Sequence, residues 1–286
     1  MILAVASGKG GTGKTMVATS LALSLQDHCR VQILDCDVEE PDAAILLRPE
    51  IELEERVCLP VPVVDLDRCT RCGLCSEACA FHAILVLGTT TLVLPELCHG
   101  CGACAHVCPE KAITEQGREV GAVELGRVGG LSFAAGRLNV GEPMAGPVIR
   151  AVKRHADPSR LVIVDAPPGT ACPVVETLKG SDFCLLVTEP TPFGLSDMTL
   201  AVEVVKELAL PCGVVVNKDG TGAEGIEEYC RKQEIPILMR IPLDRGIAEL
   251  YCRGVTLAEG MPAWGDAFRH LHDDVVCLAG REARAR

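Results

Sequence analysis

The chain has 286 residues, 48% of them hydrophobic, which suffices for one large α/β domain, alone or carrying a smaller insert. No apolar run reaches the roughly 18 residues of a membrane-spanning helix, and a net charge of −12 disfavours non-specific binding to nucleic acid or anionic lipid. Seventeen cysteines, with nothing that suggests secretion, point to metal more than to a disulfide framework.

The opening MILAVA lacks a basic n-region and reads as a first strand, Ile2–Ala6, which makes a cytoplasmic protein the expectation. It runs into SGKGGTGKT, residues 7–15. In this loop Gly8, Lys9, Gly10, Gly11, Thr12 and Gly13 lead to Lys14 and Thr15 at the start of a helical pattern, Lys14–Leu25. Between a strand and a helix, such a loop cradles phosphates with backbone N–H groups and the helix N-terminus. Lys14 would neutralise β/γ oxygens, and the Thr15 hydroxyl would ligate Mg²⁺. A second apolar strand, Val31–Asp35, ends in ILDCD. Asp35 and Asp37 therefore lie just past a strand end, where ligands meet doubly wound sheets.

The strand–helix alternation breaks between about residues 58 and 118, where eight cysteines cluster. Cys69, Cys72, Cys75 and Cys79 recur 29 residues later as Cys98, Cys101, Cys104 and Cys108, and Ala83-Ile84 recurs as Ala112-Ile113. One structural unit is used twice. Each half reads C-x₂-C-x₂-C-x₃-C, the run of bacterial two-cluster ferredoxins, in which the fourth cysteine serves the other cluster. That resemblance implies one 4Fe–4S cluster on Cys69, Cys72, Cys75 and Cys108, and a second on Cys98, Cys101, Cys104 and Cys79. Zinc competes in principle, because CxxC pairs also bind it. Cys108 is followed by Pro109 but Cys79 by Ala80, a departure that touches loop rigidity more than ligation. His82, His99 and His106 lie beside the ligands, either as tuning groups or as plain polar loop residues.

Glycine-rich residues 117–146 suggest a hairpin that returns the chain to the sheet. The α/β pattern then resumes with strands Leu161–Asp165, Phe183–Thr188, Cys212–Asn217 and Ile237–Ile241. Helical patterns lie at Leu195–Leu208, Gly225–Glu234 and Ala263–Leu278. Continuous apolar strands with helical crossovers mean a parallel sheet covered on both faces. LVIVDAPPG ends a strand at Asp165, an aspartate placed to hold Mg²⁺ through water. VVVNKDG puts Asn217 at a strand end, where an amide can donate and accept towards adenine. A guanine-reading NKxD motif would need an aspartate at 220, which is Gly220, so ATP is favoured over GTP. The basic ending REARAR is too short for a lipid-binding helix.

The early lysine makes the loop KGGxxKT, which resembles that of MinD/ParA/Mrp ATPases, a group that includes the nitrogenase iron protein. TEPTPFGLSD (188–197) is similar to the ferredoxin-bearing subgroup, and the resemblance covers essentially the whole chain. It implies a doubly wound, mostly parallel P-loop NTPase domain (1–57 and 119–286) carrying a ferredoxin-like α+β insert (58–118). By resemblance Lys9 reaches the partner's phosphates in an ATP-induced dimer, Asp37 orients the attacking water, and Asp35 supports the magnesium shell. IPLD resembles the second base-contacting loop, with Pro242 as the contact. Cys172, seven residues after Asp165, has the offset of a subunit-bridging cluster ligand in the nitrogenase iron protein and is a candidate further metal contact. The remaining cysteines, Cys29, Cys36, Cys58, Cys184, Cys212, Cys230, Cys252 and Cys277, read as small buried hydrophobes.

Three functions compete at this point. The first is assembly, carriage or delivery of iron–sulfur or other metal clusters to a client, and the second an ATP-gated electron donor. A MinD/ParA-type positioning ATPase is the weakest, since it needs neither clusters nor this acidic surface. The implied partners are a second copy or a paralogue, plus a client metalloprotein or an electron acceptor, with no nucleic acid or membrane.

Overall fold

The computed structural model describes residues 1–220 and 225–285, with the side chains of the basic tail, 281–286, outside that description. In chain order come β1 (Ile2–Ala6), α1 (Lys14–Leu25), β2 (Val31–Asp35), α2 (Ala43–Leu47), β3 (Glu50–Val64), α3 (Leu74–Ala78) and β4 (Ile84–Leu87). Then follow β5 (Thr90–Val93), α4 (Ala103–His106), β6 (Ile113–Val128), β7 (Leu131–Leu138), α5 (Gly146–Lys153), β8 (Leu161–Asp165) and α6 (Cys172–Leu178). The last part holds β9 (Phe183–Thr188), α7 (Pro192–Glu207), β10 (Cys212–Asp219), α8 (Gly225–Lys232), β11 (Ile237–Pro242), α9 (Arg245–Cys252), α10 (Leu257–Gly260) and α11 (Ala263–Ala285).

Runs of Val, Ile and Leu without polar alternation suit strands buried on both faces. Such strands build one nine-stranded sheet, ordered β11-β10-β9-β1-β8-β2-β7-β6-β3. The strands from β11 to β7 are mutually parallel, whereas β6 and β3 close that side antiparallel. Alternate residues feed two cores. Ala4, Leu34 and Val164 face α5, α6, α7 and α8, while Leu3, Val5 and Ile33 face α1, α9, α10 and α11. The expected hairpin after the cysteines is β6–β7, turned at Gly129-Gly130.

Three differences from the sequence expectation have local causes. Helix α7 begins at Pro192 instead of Leu195, because the Thr191 hydroxyl accepts the Gly194 N–H at 2.9 Å and proline suits a first helical position. Helix α11 runs on to Ala285. Strand β3 escaped notice because EIELEER is exposed and charged, and it crosses position 58 unbroken as β6 crosses 118.

Pairing places the cysteine segment. Asp35 pairs with Asp165 at the carboxyl ends of the parallel strands, and Leu138, the last residue of β7, pairs with Gly121. Residues 113–120 of β6 and their β3 partners therefore project beyond the carboxyl ends, the side where nucleotide loops gather. Residues 65–112 hang from that projection, with a small β4–β5 hairpin and two small cores around Val61, Ala83 and Cys98 and around Cys75, Ile84 and Ile113.

Candidate nucleotide and cysteine sites

Lys14 opens α1 and is buried at the foot of the glycine loop. Its Nζ lies 2.8 Å from Asp37 Oδ2, 3.6 Å from Asp165 Oδ1 and 3.4 Å from Thr15 Oγ1. Burial alone would pull the Lys14 ammonium down, but Asp165 and Asp37 outweigh it and hold its pKa above the ordinary value. Asp165 is fully buried and neither of its oxygens has a hydrogen-bond partner. Burial pushes its carboxyl up to about 6, against the lowering influence of Lys14. An orphaned buried carboxylate beside the Thr15 hydroxyl fits the donor set of a hydrated Mg²⁺. Asp35 behaves differently: its oxygens accept the N–H groups of Asp37 (3.1 Å) and Ala43 (3.0 Å), so it shapes the loop that carries Asp37.

The base side is a cavity of about 250 Å³ whose walls include Gly11, Gly13, Asn217, Pro242 and Tyr251. Asn217 lines it, yet its Nδ2 donates to the Thr12 carbonyl at 2.7 Å and its Oδ1 accepts the Lys218 N–H at 2.9 Å. The amide thus props the phosphate loop as well as facing the cavity. Gly13 has a φ of 94°, and a Cβ there would stand 2.4 Å from Asn217 Nδ2, so only glycine fits.

Lys9 is ion-paired with Glu189 just past β9, and the other oxygen of Glu189 takes Lys218 Nζ at 3.0 Å. Lys218 also donates to the Gly11 carbonyl at 3.1 Å. Burial would raise the Glu189 carboxyl, but the two lysines overcome it and hold it below the usual range. Sequence reasoning missed Glu189 and Lys218 as site residues. The signal was the charged residue in TEPTP at a strand's carboxyl end.

The eight repeat cysteines sort into two cavities. Cys69, Cys72, Cys75 and Cys108 line one, and Cys79, Cys98, Cys101 and Cys104 line the other, each about 20 Å³. Each thus takes three cysteines from one repeat and the fourth from the other. Backbone N–H groups point at the sulfurs: Ala83 to Cys79 and Ala112 to Cys108 at 3.3 Å, and Gly100 to Cys98 at 3.4 Å. The turns after Cys79 and Cys108 match despite Pro109, with N–H groups of His82 and Lys111 each 3.2 Å from the cysteine carbonyl. Among the described residues, no group of three or more His, Cys, Asp or Glu side chains is arranged to hold a single metal ion.

With this geometry in view, residues 3–257 match the CobQ/CobB/MinD/ParA nucleotide binding domain. The chain belongs to that family. Two proteins of Methanocaldococcus jannaschii are similar to it at 31% identity: MJ0579 (89% of this chain, 90% of that one) and MJ0578 (96% and 95%). More distantly it resembles an iron–sulfur cluster carrier protein of Synechocystis sp., at 22% identity over 91% of this chain and 65% of that one. In fold it is similar to the septum site-determining protein MinD of Pyrococcus horikoshii OT3 complexed with Mg-ADP, with a TM-score of 0.59 at 20% identity, covering 98% of this chain and 97% of that one.

In this MinD/ParA-family chain the other cysteines divide. Cys36, Cys184 and Cys230 are buried as expected, and burial pushes the Cys36 thiol up. Cys29, Cys58, Cys252 and Cys277 are exposed and Cys212 half-buried, which corrects the expectation of buried hydrophobes. Their positions explain it: Cys58 lies on the outward face of β3, and Cys252 ends α9 at the rim of the base cavity. Cys172 is exposed as the first residue of α6. Of the histidines, His99 stacks on Phe81 with ring centroids 3.6 Å apart, whereas His82 occupies a left-handed turn position, φ 51°.

Proposed function

We propose that this chain is an ATP-hydrolysing iron–sulfur protein, closing into a nucleotide-dependent dimer, that assembles, carries or delivers iron–sulfur clusters to a client. One observation carries the reading: two four-cysteine cavities, each fed by both repeats, project from the nucleotide end of the sheet. Thiolates spread around a cavity and met by N–H donors suit a cubane, whereas a zinc ion needs four ligands converged on one point. The name of the Synechocystis relative supports the same role. Residues 58–118 would be the ferredoxin-like insert. Cys69, Cys72, Cys75 and Cys108 would hold one 4Fe–4S cluster and Cys98, Cys101, Cys104 and Cys79 the other, each supplying a one-electron centre when bound.

On the ATP side, the loop N–H groups and Lys14 would bind the β/γ-phosphates, and Thr15 and Asp165 would hold Mg²⁺. Asp37 orients the attacking water once phosphate has drawn Lys14 away, and Lys9 adds a cation across the dimer. Asn217, Pro242 and Tyr251 bound the adenine. The test is iron transfer: anaerobically loaded protein should pass radiolabelled iron to an apo-acceptor faster with ATP than without. The adjacency of the two cavities, which share cysteines across the repeats, also suits an ATP-gated electron donor. Iron retained while ATP drives oxidation of a reductant would replace carriage with that second reading.

A further inference from the structure

The next step rests on the cluster reading. Because the cysteine segment is a repeat, the wall positions at and around the cysteines of one cavity have counterparts 29 residues away in the other. The backbone obeys this closely. Arg71 and Gly100 are both left-handed, at φ 58° and 64°, and each directs its N–H to the sulfur of Cys69 or Cys98. The side chains break it. Gly100 cannot carry one, since a Cβ would meet Leu59 Cδ1 at 2.9 Å and Pro60 Cδ at 3.1 Å, whereas Arg71 brings a guanidinium to the first cavity. The Thr91 hydroxyl, on β5, lies 3.5 Å from Cys69 Sγ; the residue 29 positions on, Val120, carries no hydroxyl and is buried in the main core, away from the second cavity. The stacked Phe81 and His99 wall the second cavity, with Glu110 and Thr70 as their counterparts in the first.

The remaining charges do not cancel this contrast. Each cavity has one carboxylate in its lining, Glu110 or Glu115. Arg118 acts electrostatically on Cys98, but its guanidinium is held bidentately by Glu142. Arg68 and Lys111, opposite Leu97 and His82 in the repeat, lie outside the lining, Arg68 held on the Glu110 carbonyl at 3.0 Å; Arg71 is the unmatched cation of the cavity walls.

A reduced cluster carries one more negative charge than an oxidised one. A hydroxyl donor and a cation beside the sulfurs stabilise that charge and raise the potential. Both differences act in the same direction. We propose that the Cys69, Cys72, Cys75 and Cys108 site is the higher-potential member of the pair, and that Arg71 and Thr91 set the gap. An electron given to either site then comes to rest in the first cavity, next to the last β3–β6 pair, Val64 and Ile113.

The test is an anaerobic redox titration of the full chain, with dithionite as reductant and electron paramagnetic resonance as readout. Wild type should show two one-electron midpoints. Arg71→Gly copies the second repeat and removes a left-handed non-glycine residue, so it should fold; it should lower the higher midpoint and leave the lower in place. Thr91→Val should do the same, and Thr91→Ser should restore the wild-type value. All three should keep about eight irons per chain. Coincident wild-type midpoints, or movement of the lower one alone, would overturn the assignment. A chain that bound no iron would instead overturn the cluster reading itself.

Discussion

At Lys14 one ammonium serves two carboxylates, Asp37 and Asp165, that share its pocket. Lys14→Ala should abolish ATP binding by calorimetry and also lower the melting temperature, since removing one partner of a buried ion pair typically costs about 3–5 kcal/mol. Asp165 adds a pH dependence. Its folded pKa, about 6, is raised above the ordinary carboxylate value, so the ionised form is the costly one. That cost grows as pH rises from about 4 through 6 and is absent below. Magnesium needs the ionised form, so its apparent affinity should fall roughly tenfold per pH unit below about 6. A magnesium titration at fixed ATP that stayed flat between pH 5 and 7 would remove Asp165 from the metal shell. The phosphate loop was legible in sequence because its residues are consecutive. Glu189 was not, since its bond to Lys9 joins positions 180 residues apart and no spacing encodes it.

Among the elements, α5 links the two halves of the site. Lys153, its last residue, donates to the carbonyls of Glu176 (2.7 Å), Thr177 (2.8 Å) and Lys179 (2.6 Å), and so caps α6, the helix that begins at Cys172. Burial pulls the Lys153 pKa down, and the three carbonyls satisfy its donors. Lys153→Met should destabilise the fold by about 1–3 kcal/mol in chemical denaturation, the cost of unsatisfied buried acceptors. A second link is the backbone. Leu138 donates to the Val38 carbonyl at 2.8 Å, one residue past Asp37, and Asn139 donates to Val120 of β6 at 3.0 Å. The loop of Asp37 is thus two hydrogen bonds from the strand that carries the cysteine segment. The buried parallel strands were readable because apolar runs state their own environment. The long β3–β6 pair was not, because half its residues face water and its stability comes from a partner strand far along the chain.

For the whole molecule, the proposed assembly turns on Lys9. In the single chain it is held by Glu189, so reaching a partner's phosphate requires breaking that pair. Asp37→Ala, which should bind ATP without hydrolysing it, should run as an ATP-dependent dimer on sizing. Adding Lys9→Ala should weaken that dimer, while Lys9→Ala alone should leave monomer affinity intact and lose hydrolysis by roughly 10³ or more, as for other trans-acting cations. Normal turnover and unchanged dimerisation in Lys9→Ala would make this lysine an ordinary loop residue. Strand-on-strand association is opposed at β3. It is one of the two outer strands of the sheet, and Pro60 and Pro62 bring no N–H to its free rim while Glu50, Glu52 and Glu54 line its opening half. A neighbouring molecule that tried to lengthen the sheet would meet missing donors and a row of like charges. The molecule can therefore carry an exposed fifteen-residue strand whose rim resists edge-to-edge pairing.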